Sequence, residues 1–210
     1  MAKTAIFGIR PYFTDITQPE RLPPIGKWMY RKNGEKANWL GVKWEGKNLI
    51  EPINIILLDS ISKSVEEAEI RLYDNLKKAG FTDRNHHSSG YIGYIGDKFY
   101  SQIPHEEYHA ISDGPAIKPN NHGRIFGPYY YKGIYVFIAA FSREVLVPAV
   151  KIGHGFQSFK KARDEFVRKL TISDGYTLAG FINLDNAIKG SSTYTTGDHD
   201  GAAAVLSVAE

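Results

Sequence analysis

A chain of 210 residues, 42% of them hydrophobic and 23% charged, is long enough to bury one large core without covalent staples. It has no cysteine, which excludes disulfides, thiolate metal sites and a cysteine nucleophile. The 26 Lys and Arg against 23 Asp and Glu leave a net charge of +3 without a basic run, so nucleic-acid binding is not expected. The longest uncharged apolar runs, 53–58 and 134–141, fall far short of the roughly 20 residues that cross a bilayer, so no transmembrane segment is expected and the chain reads as soluble. Its compartment stays open, cytoplasmic or exported with a signal removed, because the apolar stretch near Met1 is too short for a signal core.

Residues 1–36, punctuated by Pro11, Pro19, Pro23 and Pro24 and followed by Trp28 and Tyr30, read as an irregular arm laid over the surface. Residues 37–190 read as a single α+β domain, an antiparallel-rich mixed sheet with two helices packed on one face. Ala37 to Trp44 alternates like a half-buried strand, and Ile53 to Leu58, closed by Asp59-Ser60, is a short buried one. Ser64 with Glu67 forms a capping box before Val65, Ala68, Leu72, Leu76 and Ala79 on one helical face, and Gly80 ends the helix. The following loop, 82–96, carries His86, His87, Ser88 and Ser89, polar groups suited either to an anion or simply to water; His87 is the candidate ligand contact there.

The centre of the chain is Pro119 to Arg143, two strands joined at Lys132-Gly133, with the second limb from Ile134 to Phe141 free of charge, as burial on both faces requires. After a turn at Gly153-His154-Gly155, Ser158 caps a second helix whose Phe159, Ala162, Phe166 and Leu170 share a face. Its other face, with Lys160, Lys161, Arg163, Arg168 and Lys169 against Asp164 and Glu165, reads as solvated, with phosphate binding as the lesser alternative. Residues 191–210 form a tail of small and polar residues with an Ala-Ala-Ala-Val-Leu patch, either an edge strand or mobile.

Two constellations carry candidate chemistry. His105-Glu-Glu-Tyr-His109 satisfies H-E-x-x-H, in which two histidines a helical turn apart hold zinc and the glutamate activates water. Pro104 and Ser112-Asp-Gly-Pro115 leave little room for the helix this needs, and Glu107 puts a charge at a variable position. No metal and no cofactor are therefore expected, with His105, Glu106 and His109 as the residues that would hold zinc if one bound. His122 and Arg124 lie two apart on one strand, and a turn at Lys132-Gly133 brings Arg143 beside them; two guanidiniums and an imidazole suit a phosphate or carboxylate. The plainer alternative pairs Arg124 with a carboxylate inside the fold.

The run Glu51 to Asp59, Lys77-Lys-Ala-Gly-Phe81, Asn121-His-Gly-Arg-Ile-Phe126, Ile138 to Arg143, Gly153-His154 and Ala162-Arg-Asp164 resembles the LssY C-terminal domain family over about residues 51–170. Its most specific pieces are His122-x-Arg124 and Ala162-Arg-Asp164. The resemblance implies a bacterial domain that accompanies membrane proteins of secretion or lipid-phosphate handling, with no defined activity. Three functions are then expected, in this order: a non-catalytic binding module for a polar or anionic ligand at the cell envelope; a structural or protein-interaction domain using Tyr129-Tyr-Tyr131 and the aromatic arm; and a hydrolase, through the zinc pattern or through His122 as acid or base.

Overall fold

The computed structural model describes residues 9–85, 90–103, 109–115, 117–147 and 153–209. Among them two helices accompany a large, mostly antiparallel, curled sheet and a small three-stranded one. The hairpin of Asn120–Tyr131 and Ile134–Val147 lies at the middle of the large sheet. Its second limb pairs with Ile55–Asp59 on its far side, and its first limb with Lys98–Ile103 and Ala110–Ser112.

Helix α1, Val65–Lys78, starts where the box demands: Ser64 Oγ accepts from Glu67 N at 3.1 Å, while the Glu67 carboxylate reaches back to Lys63 N at 2.7 Å. Helix α2, Phe159–Ile172, is capped by Ser158, whose hydroxyl accepts from Lys161 N at 2.8 Å and itself bonds Asp198. Ala68, Leu72 and Leu76 of α1 and Ala162, Phe166 and Leu170 of α2 share one core with Ile55, Leu57, Phe137, Ala139 and Phe141. The alternate residues Ile56, Val136, Ile138 and Ala140 pack into a second core with Ile25, Met29, Tyr91 and Tyr100. The limb is thus buried on both faces from Val136 to Phe141, which is why that part of it carries no charge.

Three segments differ from their sequence reading. The Ala-rich tail is an interior strand: Ala202–Val208 runs parallel to Ile55–Asp59 on one side and antiparallel to Tyr176–Asn183 on the other, because its uncharged run needs cover at both edges. The arm is more than drapery, since Ile25 and Met29 are fully buried and Tyr30–Arg31 pairs with Tyr91–Ile95. Gly153 to Gly155, expected to turn, belongs to the strand Gly153–Ser158 along the second limb.

Arg163 departs furthest from expectation. Instead of lying on a solvated helix face it is buried, with its guanidinium forked onto Asp200 at 2.6 and 3.0 Å and onto Ala202 O at 2.8 Å. Burial opposes ionisation of Asp200, but the Arg163 hydrogen bonds and the Ala202 N–H hold its carboxyl down at about 2. This fork ties α2 to the start of the last strand. Arg163→Met is expected to cost about 3 kcal/mol in urea unfolding, the lower end for breaking a buried pair, because Asp200 keeps some water contact. Lys160→Met, at the exposed 4.0 Å edge of the same carboxylate, should change stability by less than about 0.5 kcal/mol.

Candidate functional site

The geometry of the site is set by the hairpin's register. Lys132 and Gly133 both have positive φ, as a two-residue hairpin turn requires, and Tyr131 faces Ile134. Carried down from that turn without interruption, the ladder would set Arg143 opposite His122. Between Phe126 and Tyr129, however, Gly127 and Pro128 stand against the single residue Phe137. Pro128 has no N–H to give to the ladder. Gly127 sits at φ +122°, and a side chain there would meet Val136 O at 2.9 Å. The extra residue shifts the register by one, so Arg143 faces Asn121, while His122 faces Ser142 and Arg124 faces Ala140. Facing residues share a side of the sheet and neighbours alternate. Arg143 therefore leaves on the side of the helices, and His122 with Arg124 on the other; the expected single cluster of the three does not form.

The His122 side is a closed polar network. Asn120 Nδ2 donates to Glu144 Oε1 at 2.6 Å, Ser112 Oγ donates to Asn120 Oδ1 at 3.0 Å, and His122 Nδ1 lies 3.7 Å from Glu144 Oε2. Trp39 Nε1 donates to Ser142 Oγ at 2.9 Å, fastening the small sheet onto this face. Arg124, 3% exposed, lies over the Tyr91 ring at 5.2 Å, with the charges of Glu51 and Glu144 acting on it. Burial pushes the Glu51 carboxyl up to about 7, against the pull of Arg124 and Arg31. These groups hold one another inside the fold, the plainer of the two readings of Arg124.

Arg143 has a different setting. Its Nε donates to Gln157 Oε1 at 2.8 Å and its Nη1 to Asn121 Oδ1 at 3.2 Å, two neutral acceptors. An open pocket of about 580 Å³ joins it to Gln157, Lys161, Asp164, Glu165 and Arg168. The acids there are already engaged: Arg168 grips Glu165 at 2.7 and 2.8 Å, and Asp164 takes Arg163 Nε at 2.9 Å. Arg143 and Lys161 make no ion pair within 4 Å among the described residues; the charge of Arg143 does act on the Glu165 carboxylate, so the pocket holds three cations against two carboxylates, an excess of one positive charge.

Of the zinc pattern, His105 and Glu106 lie outside the described residues, as does His87. His109 enters the strand Ala110–Ser112, where its Nδ1 lies 2.8 Å from Asp83 Oδ1 across the pairing with Thr82–Arg84. Sequence reasoning offered Lys161 only within a basic helix face whose phosphate-binding role was the lesser reading, and passed over Gln157, whose place beside Arg143 follows from strand Gly153–Ser158 running along the second limb. It also passed over Glu144 and Glu51, although acids flanking an apolar strand were a signal that something cationic lay inside. Comparison with protein-family models, with curated proteins and with solved structures gives no match.

Proposed function

We propose that this chain is an α+β, non-catalytic binding module that takes a small anion, a phosphate or carboxylate group, at Arg143 and Lys161 beside α2. The observation that carries this reading is the state of Arg143: its guanidinium is aimed by Gln157 and Asn121, yet neither of these neutral groups offsets its charge. Pre-orientation lowers the cost of binding, and an anion supplies the counter-charge. The imidazole of His122, the group suited to acid–base work, is enclosed in the network with Glu144, away from this pocket. The resemblance to the LssY C-terminal domain family implies a setting beside membrane proteins of secretion or of lipid-phosphate handling.

Titration of the full chain with inorganic phosphate and with pyrophosphate at low salt, followed by calorimetry or phosphorus NMR, tests this. Millimolar or tighter binding is expected, weakening as salt rises and at least tenfold with Arg143→Gln and Lys161→Gln together. Absence of binding by either anion, or binding indifferent to both substitutions, refutes the site.

A further inference from the structure

The pocket beside α2 has two poles. Lys161, Asp164, Glu165 and Arg168 recur at intervals of three and four residues, so they share one face of the helix. Arg143 and Gln157 close this row at the helix start, where the second limb and the strand Gly153–Ser158 run side by side. Two cations, Arg143 and Lys161, therefore stand at one end, and Asp164 lies a helical turn further on.

Several of these groups keep a polar atom unused among the described residues. Gln157 spends Oε1 on Arg143 Nε at 2.8 Å, which leaves its amide Nε2 to donate elsewhere. Lys161 Nζ makes no bond there. Asp164 gives Oδ1 to Arg163 Nε at 2.9 Å and keeps Oδ2, in a side chain 51% exposed. Glu165 has both oxygens on Arg168, at 2.7 and 2.8 Å. Arg163 is itself anchored on Asp200, so the Asp164 carboxylate is oriented before a ligand arrives.

Resting on the anion site proposed above, we infer that the ligand of this pocket is a phosphomonoester that also carries a primary ammonium group. The phosphate lies at Arg143, Lys161 and Gln157 Nε2, and the ammonium at Asp164 Oδ2. The net charges match: three cations against two carboxylates leave an excess of one positive charge, and a phosphomonoester with one ammonium carries about −1 at neutral pH. A plain phosphate or a dicarboxylate sets its own negative charge near Asp164 and gives that carboxylate no partner. A free amino acid, with no net charge, leaves the excess unanswered. Side chains three apart on a helix have Cβ atoms about 5–6 Å from each other, a step that a two-carbon chain between phosphate and ammonium covers.

The test titrates the full chain at low salt with O-phosphoethanolamine and with propyl phosphate, in which a methyl group replaces the ammonium, by calorimetry. O-phosphoethanolamine is expected to bind about fivefold more tightly, the upper end for one exposed ion pair. Asp164→Asn keeps an oxygen for Arg163 and removes the charge. It should abolish that preference and tighten propyl phosphate, because a repelling carboxylate is gone. Glu165→Gln changes the net charge equally but alters a carboxylate already held by Arg168, so it should keep most of the preference. Glycerophosphoethanolamine, the phosphodiester that a lipid headgroup presents, has less negative charge and should bind more weakly than O-phosphoethanolamine.

If O-phosphoethanolamine, propyl phosphate and inorganic phosphate all fail to bind, the anion site and this inference fall together. If the phosphates bind but the ammonium brings no advantage, or if the two substitutions reduce the advantage equally, the anion site stands and the ammonium contact is overturned. A diester bound as tightly as the monoester overturns the assignment to a phosphomonoester.

Discussion

Arg124→Met is expected to destabilise the protein by about 3–5 kcal/mol at pH 8 and by much less at pH 5, as measured by chemical unfolding. The guanidinium is buried over Tyr91, and its charge acts on Glu51 and Glu144. Removing it takes the guanidinium charge away from those two acids, and the cost depends on whether Glu51 is ionised. Glu51 is already pushed up to about 7 with Arg124 in place, so without it the carboxyl rises further and is neutral in acid. A neutral carboxyl tolerates burial, which is why lowering the pH rescues the variant. Adding Glu51→Gln should recover part of the loss at pH 8 and little at pH 5. Equal losses at the two pH values would mean that Glu51 does not depend on Arg124.

The second large effect is concealed in the parent protein because two buried groups act in opposite directions. Burial lowers His199 to about 4 from an ordinary 6.5, with its Nε2 2.7 Å from Asn186 Oδ1. Between those values the unfolded chain binds a proton that the folded one refuses, so His199 makes stability rise with pH, by roughly 3 kcal/mol across the window. Glu51, raised from 4.5 to about 7, does the reverse: the folded chain holds a proton that the unfolded chain releases, and stability falls by a similar roughly 3 kcal/mol as pH rises through that window.

The two windows overlap, so the parent should show a nearly flat profile between about pH 4.5 and 6.5. Glu51→Gln should uncover the rising slope, and His199→Gln, though weaker overall, the falling one. Unfolding curves at half-unit pH steps decide this. A flat profile in both variants would show that neither group carries the stated shift.

Much of the fold was legible because it rests on local periodicity and capping. The two helices begin at Ser64 and Ser158 where side-chain oxygens meet orphan N–H groups, and their apolar faces recur every three to four residues. The hairpin turn at Lys132-Gly133 is equally local, needing two residues of positive φ. The buried second limb announced itself by having no charge over Ile134 to Phe141.

What the sequence could not convey is pairing between distant segments. The Ala-rich tail finds Ile55–Asp59 more than a hundred residues away, and Arg163 finds Asp200 only because that strand returns beneath α2. The grouping of Arg143 with His122 failed for a related reason. Side chains alternate at every residue of a strand, so the one extra residue at Gly127-Pro128 sends Arg143 to the opposite face, and whether a Gly-Pro step is absorbed as a bulge depends on the strand facing it. By itself the chain determined its helices, its central turn and its apolar strands, all products of interactions within a few residues. The tertiary structure alone decided which cation is shut in the core and which faces a pocket, because register is a property of two strands together.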